Sequence, residues 1–99
     1  MQTLTQPQRR YLRRLGHDLK PVVRTGSAGL SQAVLDELER ALDDHELVKV
    51  KLVAEDRDER ARFIDAIRDH SGAELVQTIG HVALFYRRNP DRRDPIALP

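Results

Sequence analysis

Hydrophobic and polar positions follow two rhythms along this chain, and each change of rhythm marks an element. Leu12, Leu15 and Leu19 recur at helical spacing with Tyr11 beside them, while Arg9, Arg10, Arg13 and Arg14 fill the remaining arc. Thr5 and Gln8 are spaced as a capping box and Pro7 is tolerated in a first turn. A helix is therefore predicted over 5–16, with Gly16 ending it. Pro21-Val22-Val23-Arg24 is short, β-branched and opens on its proline, which predicts a strand. A second helix follows Ser31 as its N-cap. Leu30 and Leu35 can staple its start, and Val34, Leu35, Leu38, Ala41 and Leu42 form its apolar stripe.

The rhythm then shortens to two. Across Glu46–Val53, Val48, Val50 and Leu52 alternate with Lys49 and Lys51, giving a strand with one face for the core and one for water. Asp56 and Glu59 form another capping box, opening a third helix that turns Phe63, Ile64 and Ile67 inward and stops at Gly72. Ala73–Ile79 and Val82–Arg87 read as two strands joined tightly at Gly80-His81, a hairpin. Asn89 to Pro99 holds three prolines and mixed charge, so an irregular, mobile tail is expected.

The predicted order is α-β-α-β-α-β-β. It corresponds to an α/β two-layer sandwich on a mixed four-stranded sheet, with the second and third helices on one face. Residues 1–88 read as one domain and 89–99 as its tail. A chain of 99 residues buries roughly two-thirds of its unfolded surface, enough for one core without a metal or disulfide staple. The absence of cysteine excludes disulfides, zinc–thiolate sites and iron–sulfur clusters. No apolar run is long enough for a secretory signal or a bilayer span, so a soluble, cytoplasmic protein is expected.

The net charge of +1 conceals a strong asymmetry. Residues 1–24 carry six basic side chains against Asp18 alone, a net +5. Residues 25–72 carry seven basic and twelve acidic side chains, a net −5, and the remainder contributes +1. One basic region can therefore face a polyanion while the middle of the chain stays acidic.

The segment Gly26-Ser27-Ala28-Gly29 joins that basic region to the second helix and has the G-x-x-G form. Two glycines let the backbone approach a ligand closely, and the amides at a helix start favour phosphate. It is not a Walker loop, because Leu30 stands where the Gly-Lys-Ser/Thr sequence would continue. Taken alone, the loop reads equally well as a sharp turn that needs glycine. Its surroundings favour binding. Lys20, Val22 and Arg24 share one side of the first strand, and Lys49 and Lys51 share one side of the next. A phosphate-binding surface is expected from Arg9, Arg10, Arg13, Arg14, Lys20, Arg24, Gly26, Ser27, Ala28, Gly29, Lys49 and Lys51.

Other chemistry finds little support. His17, His45, His70 and His81 lack metal-ligand spacing, and each falls near the end of an element. Glu55, Asp56, Asp58 and Glu59 crowd a helix start, where capping and dipole compensation account for them. No nucleophile–base set emerges, so neither an enzyme nor a cofactor is expected. Phe63 reads as core. Phe85 and Tyr86 face opposite ways, so one is expected in the core and the other is available to stack on a base.

Leu19-Lys20-Pro21-Val22-Val23, the loop through Leu30, His45 to Lys51, Ile79-Gly80 and Leu84 to Arg87 together resemble the CRM domain, named for chloroplast RNA splicing and ribosome maturation. The resemblance is to the bacterial, stand-alone YhbY type and runs from about Leu4 to Arg88. It implies a fold similar to the C-terminal domain of translation initiation factor three. It also implies RNA binding, with precursors of the large ribosomal subunit as partner; separately, a monomer is expected. In that family the G-x-x-G loop and neighbouring cations are the expected contacts, here Gly26 to Gly29 with Lys20, Arg24, Lys49 and Lys51. Two other readings remain: a DNA-binding regulator, which the acidic second helix disfavours as a groove reader, and a protein-interaction module that uses the acidic helices.

Overall fold

In the computed structural model, which describes residues 3–99, three helices and four strands follow the predicted order. The first two residues of the expected 1–88 domain lie outside the described residues. Helix α1 spans Gln6–Gly16. Thr5 Oγ1 accepts from the Gln8 amide while Gln8 Oε1 accepts from the Thr5 amide, which is the capping box in full. Strand β1 is only Val23–Arg24, shorter than predicted, because the ladder to the next strand is regular over those two residues alone. Helix α2 spans Gln32–His45 with Ser31 as its cap, and β2 spans Leu47–Lys51. Helix α3 spans Arg57–Ser71 behind Asp56, and β3 and β4 span Glu74–Ile79 and Val82–Tyr86. Gly72 closes α3 in the left-handed region at φ 72°, where a side chain would be strained.

The sheet order is β1-β2-β4-β3. β1 runs parallel to β2, as the α2 crossover requires, and β4 lies antiparallel between β2 and β3. Alternation along the strands then divides the core. Val23, Val48, Val50, Ala83 and Phe85 meet Leu38 and Leu42 of α2 and Ile67 of α3 on one face, which is the expected two-layer arrangement. Leu47, Leu84 and Tyr86 point to the other face, where α1 packs with Leu12 and the segment before it with Leu4.

Gly16 is the last residue of α1, as expected, and is buried, with His17 as a right-handed C-cap. A Cβ at Gly16 would stand 2.6 Å from Leu84 Cδ2, so this glycine lets the helix lie close on β4. The tail is without helix or strand, but the structure fixes it where mobility was expected. Ile96 and Leu98 pack against the α1-side core. Glu46, fully buried at φ 62°, receives the amides of Asn89 (2.8 Å) and Ile96 (2.7 Å) and Nη1 of Arg92 (2.9 Å) on its carboxylate. Glu46 therefore caps α2 and anchors the tail instead of opening a strand.

Candidate nucleic-acid interface

Helix α1 is 11 residues long, about 16 Å, and covers only part of its face of the sheet. Strand register determines what is left open. Arg24, Lys51, Val82 and Ile79 are successive partners across all four strands, so they form one row on the α1 side. Lys49, Leu84 and Gln77 form the next row inward. Arg10, Arg13 and Arg14, spaced i, i+3 and i+4, share the face of α1 that overlooks these rows. Between helix and sheet lies a groove of about 700 Å³, with Arg10, Arg13, Arg14, His17 and Asp18 as its wall and Lys49, Gln77, Ile79, Val82 and Leu84 as its floor. Pro21 also borders a second hollow along the edge strand, lined by Lys20, Val22, Arg24, Lys51 and Glu37.

Among the described residues, no carboxylate lies within 4.0 Å of the charged groups of Arg10, Arg13, Arg14, Lys20, Arg24 or Lys51. Their charge is left for solvent or a ligand. Arg40, Arg57, Arg62, Arg68, Arg88 and Arg93 likewise have no carboxylate within 4.0 Å among the described residues, whereas Arg9, Lys49, Arg60, Arg87 and Arg92 are engaged within the fold. Arg9, next to Arg10 but turned about 100° around the helix, donates to the Leu75 carbonyl at 2.7 Å and stands 3.9 Å from Glu74. Arg9 thus ties α1 to β3 and does not join the groove. Lys49 lines the groove, but its Nζ donates to the carbonyls of Leu19 (3.0 Å) and His17 (3.5 Å), closing the C-terminal end of α1. Arg87 bridges Glu39 and Asp43 on α2.

The glycine loop follows Arg24 directly. Thr25 secures that exit: its amide donates to Lys51 O, and its Oγ1 accepts from the Val53 amide at 2.8 Å. The Gly29 amide then closes the turn on Gly26 O at 3.0 Å, leaving the amides of Ser27 and Ala28 without partners among the described residues. The loop opens on its own hollow of about 440 Å³, whose far side carries Glu55, Glu59 and Phe63. It therefore sits at the end of the cationic row and borders carboxylates on its other flank. The reading of the loop as a turn that needs glycine holds at one of its two glycines. Gly29 has φ 70°, and a Cβ there would lie 3.4 Å from Phe63 Cζ, whereas Gly26 has open space around it. Gly29→Ala is expected to lower stability by about 1–2 kcal/mol while Gly26→Ala stays within about 0.5 kcal/mol. Urea midpoints for the two variants check this, and equal midpoints would contradict it.

Tyr86 is unavailable for stacking, contrary to expectation. It and Phe85 are both buried, on opposite faces, because α1 and the tail cover the side that Tyr86 occupies. Burial, reinforced by the nearby Glu46 charge and opposed by Arg88, pushes its phenol above the usual range, so it stays neutral. Sequence reasoning missed Gln77, Ile79 and Val82 as groove floor. A strand pattern does not tell which side chains a helix covers, and only the short reach of α1 leaves these open.

A family model described as the CRS1 / YhbY (CRM) domain matches residues 4–87. The chain belongs to the CRM domain family. Among its relatives is a protein of Pseudomonas aeruginosa named a probable RNA-binding protein, 51% identical over 87 residues, which cover 88% of this chain and 84% of that one. An RNA-binding protein of Haemophilus influenzae is 44% identical across 100% of this chain and 98% of its own. The CRM fold here superposes on the solution structure of a Staphylococcus aureus protein with a TM-score of 0.81 at 30% identity, covering 98% of this chain and 100% of that one.

Proposed function

We propose that this CRM domain is an RNA-binding module that acts in assembly of the large ribosomal subunit, as a cytoplasmic monomer and without a catalytic step. The carrying observation is that six of the cations with no carboxylate within 4.0 Å among the described residues are gathered on one side of the sheet and beside it. Phosphates along a ribose chain are the natural counter-charges for such a surface. The Ser27 and Ala28 amides at the end of the row supply two further phosphate donors. The names of the Pseudomonas and Haemophilus relatives point to the same class of ligand. A DNA-reading role would need α2 or α3 in a groove, and both helices are packed on the opposite face of the sheet.

Fluorescence anisotropy with fragments of large-subunit ribosomal RNA and with duplex DNA of equal length tests the reading. RNA is expected to bind more tightly. If all six cations engage, the log–log salt slope should be about −4 to −5, from −0.7 to −0.9 per phosphate. Salt-independent binding, or tighter binding to the DNA, would overturn the proposal. The assembly role is tested by crosslinking in cells followed by sequencing, with precursor large-subunit RNA expected as the dominant partner; enrichment of unrelated RNAs would remove it.

A further inference from the structure

The groove between α1 and the sheet has two chemically different sides. Its wall is mainly cationic, with Arg10, Arg13 and Arg14 against the single carboxylate of Asp18, while its floor is aliphatic, through Ile79, Val82 and Leu84, with the Gln77 amide between them. Ile79 is 67% exposed, on a sheet face that buries Leu47, Leu84 and Tyr86 beneath α1 and the tail. A phosphate gains nothing from lying on Ile79. A surface made only for phosphates would continue the cations of Arg24 and Lys51 along their row, yet the row continues as Val82 and Ile79.

We infer that this groove takes unpaired RNA, with the ribose-phosphate chain along the α1 arginines and the bases turned down onto Ile79 and Val82. The inference rests on the RNA-binding reading above and specifies the form of RNA. A single strand, loop or bulge offers both kinds of surface at once, apolar base faces and a charged backbone. An A-form duplex keeps its base faces stacked inside and offers phosphates, 2′-hydroxyls and a major groove too deep and narrow for side chains. Gln77 has both a donor and an acceptor for the edge of a base held there, and the guanidinium planes of the α1 arginines can stack on neighbouring bases.

The test uses the full chain with three probes: an unstructured 12-nucleotide RNA, the same strand annealed to its complement, and the single strand carrying 4-thiouridine. Wild-type protein is expected to bind the single strand at least tenfold more tightly than the duplex at equal salt. Ile79→Ser is expected to lower single-strand affinity about fivefold through lost apolar contact, with salt slope and duplex affinity unchanged. Because Ile79 is largely exposed, the variant should keep the wild-type circular dichroism spectrum. Photo-crosslinks of the wild-type chain, which do not depend on any variant folding, are expected within residues 77–84. Equal, salt-dependent affinity for both forms, an Ile79→Ser loss shared by both, or crosslinks confined to the far face would overturn this inference and leave RNA binding standing. Salt-independent or absent binding of both forms would instead remove the RNA-binding reading itself.

Discussion

Replacing Arg10, Arg13 and Arg14 together with glutamine should weaken RNA binding roughly a hundredfold in 0.1 M salt. Each neutralised phosphate on a single strand contributes about −0.7 to the log–log salt slope, which at 0.1 M corresponds to about 0.7 of a decade in affinity. Three such contacts give about two decades, and the slope should shallow by about 2. The fold should survive, because the three side chains make no ion pair among the described residues and glutamine is a good helix former. Arg9→Gln is the matched control. It removes the bond to Leu75 O, so it should lower the melting temperature and leave the salt slope alone. If Arg9→Gln flattened the slope as much as the triple variant, the groove would not be the binding surface.

The second large effect is expected from Glu46→Gln, on stability. The Glu46 carboxylate is fully buried and receives two backbone amides and the Arg92 guanidinium. Burial by itself raises its pKa, but the amides of Asn89 and Ile96 and the Arg92 side chain outweigh this and hold it below the usual carboxylate range. A glutamine would turn an NH₂ toward donors and leave the Arg92 charge without a counter-ion. Removing one member of such a buried set costs about 3 kcal/mol. For a domain of this size that lowers Tm by very roughly 12–24 °C.

The folded state favours the ionised form of Glu46, so its contribution is present above the ordinary value of 4.5 and is lost as pH falls through the depressed folded value. Thermal melts of wild type and Glu46→Gln should therefore differ most at neutral pH and converge in acid. Amide exchange at Asn89 and Ile96 should accelerate in the variant, because the tail would be released and Ile96 and Leu98 would leave the α1-side core. A melting temperature within about 3 °C of wild type would show that the tail does not depend on this carboxylate.

The elements were legible in the sequence because their signals are local. Thr5 with Gln8, Asp56 with Glu59, and Gly72 at a left-handed helix end each act within four residues. The first and last appear as read. Asp56 caps the Glu59 amide, while the Glu59 carboxylate takes the Glu55 amide instead of closing the box. The alternation of Val48, Val50 and Leu52 with Lys49 and Lys51 likewise needs only the period of a strand. The candidate site was half legible for the same reason. The α1 arginines are close in sequence, as are Lys20, Arg24 and the glycine loop, so their charge shows before any folding.

Tertiary structure decided which of those charges are available and what lies beside them. A rotation of about 100° per residue separates Arg9, bonded to β3, from Arg10 in the groove. Lys49 is engaged by carbonyls 30 and 32 residues away, and Glu46 by amides 43 and 50 residues away. Tyr86 is closed off by α1 and the tail, whereas Ile79 and Val82 on the same face stay open because α1 does not reach them. Composition, caps and period are properties of a stretch of chain. Which cation is free, and which apolar side chain lines a groove, depend on where distant segments stop against one another.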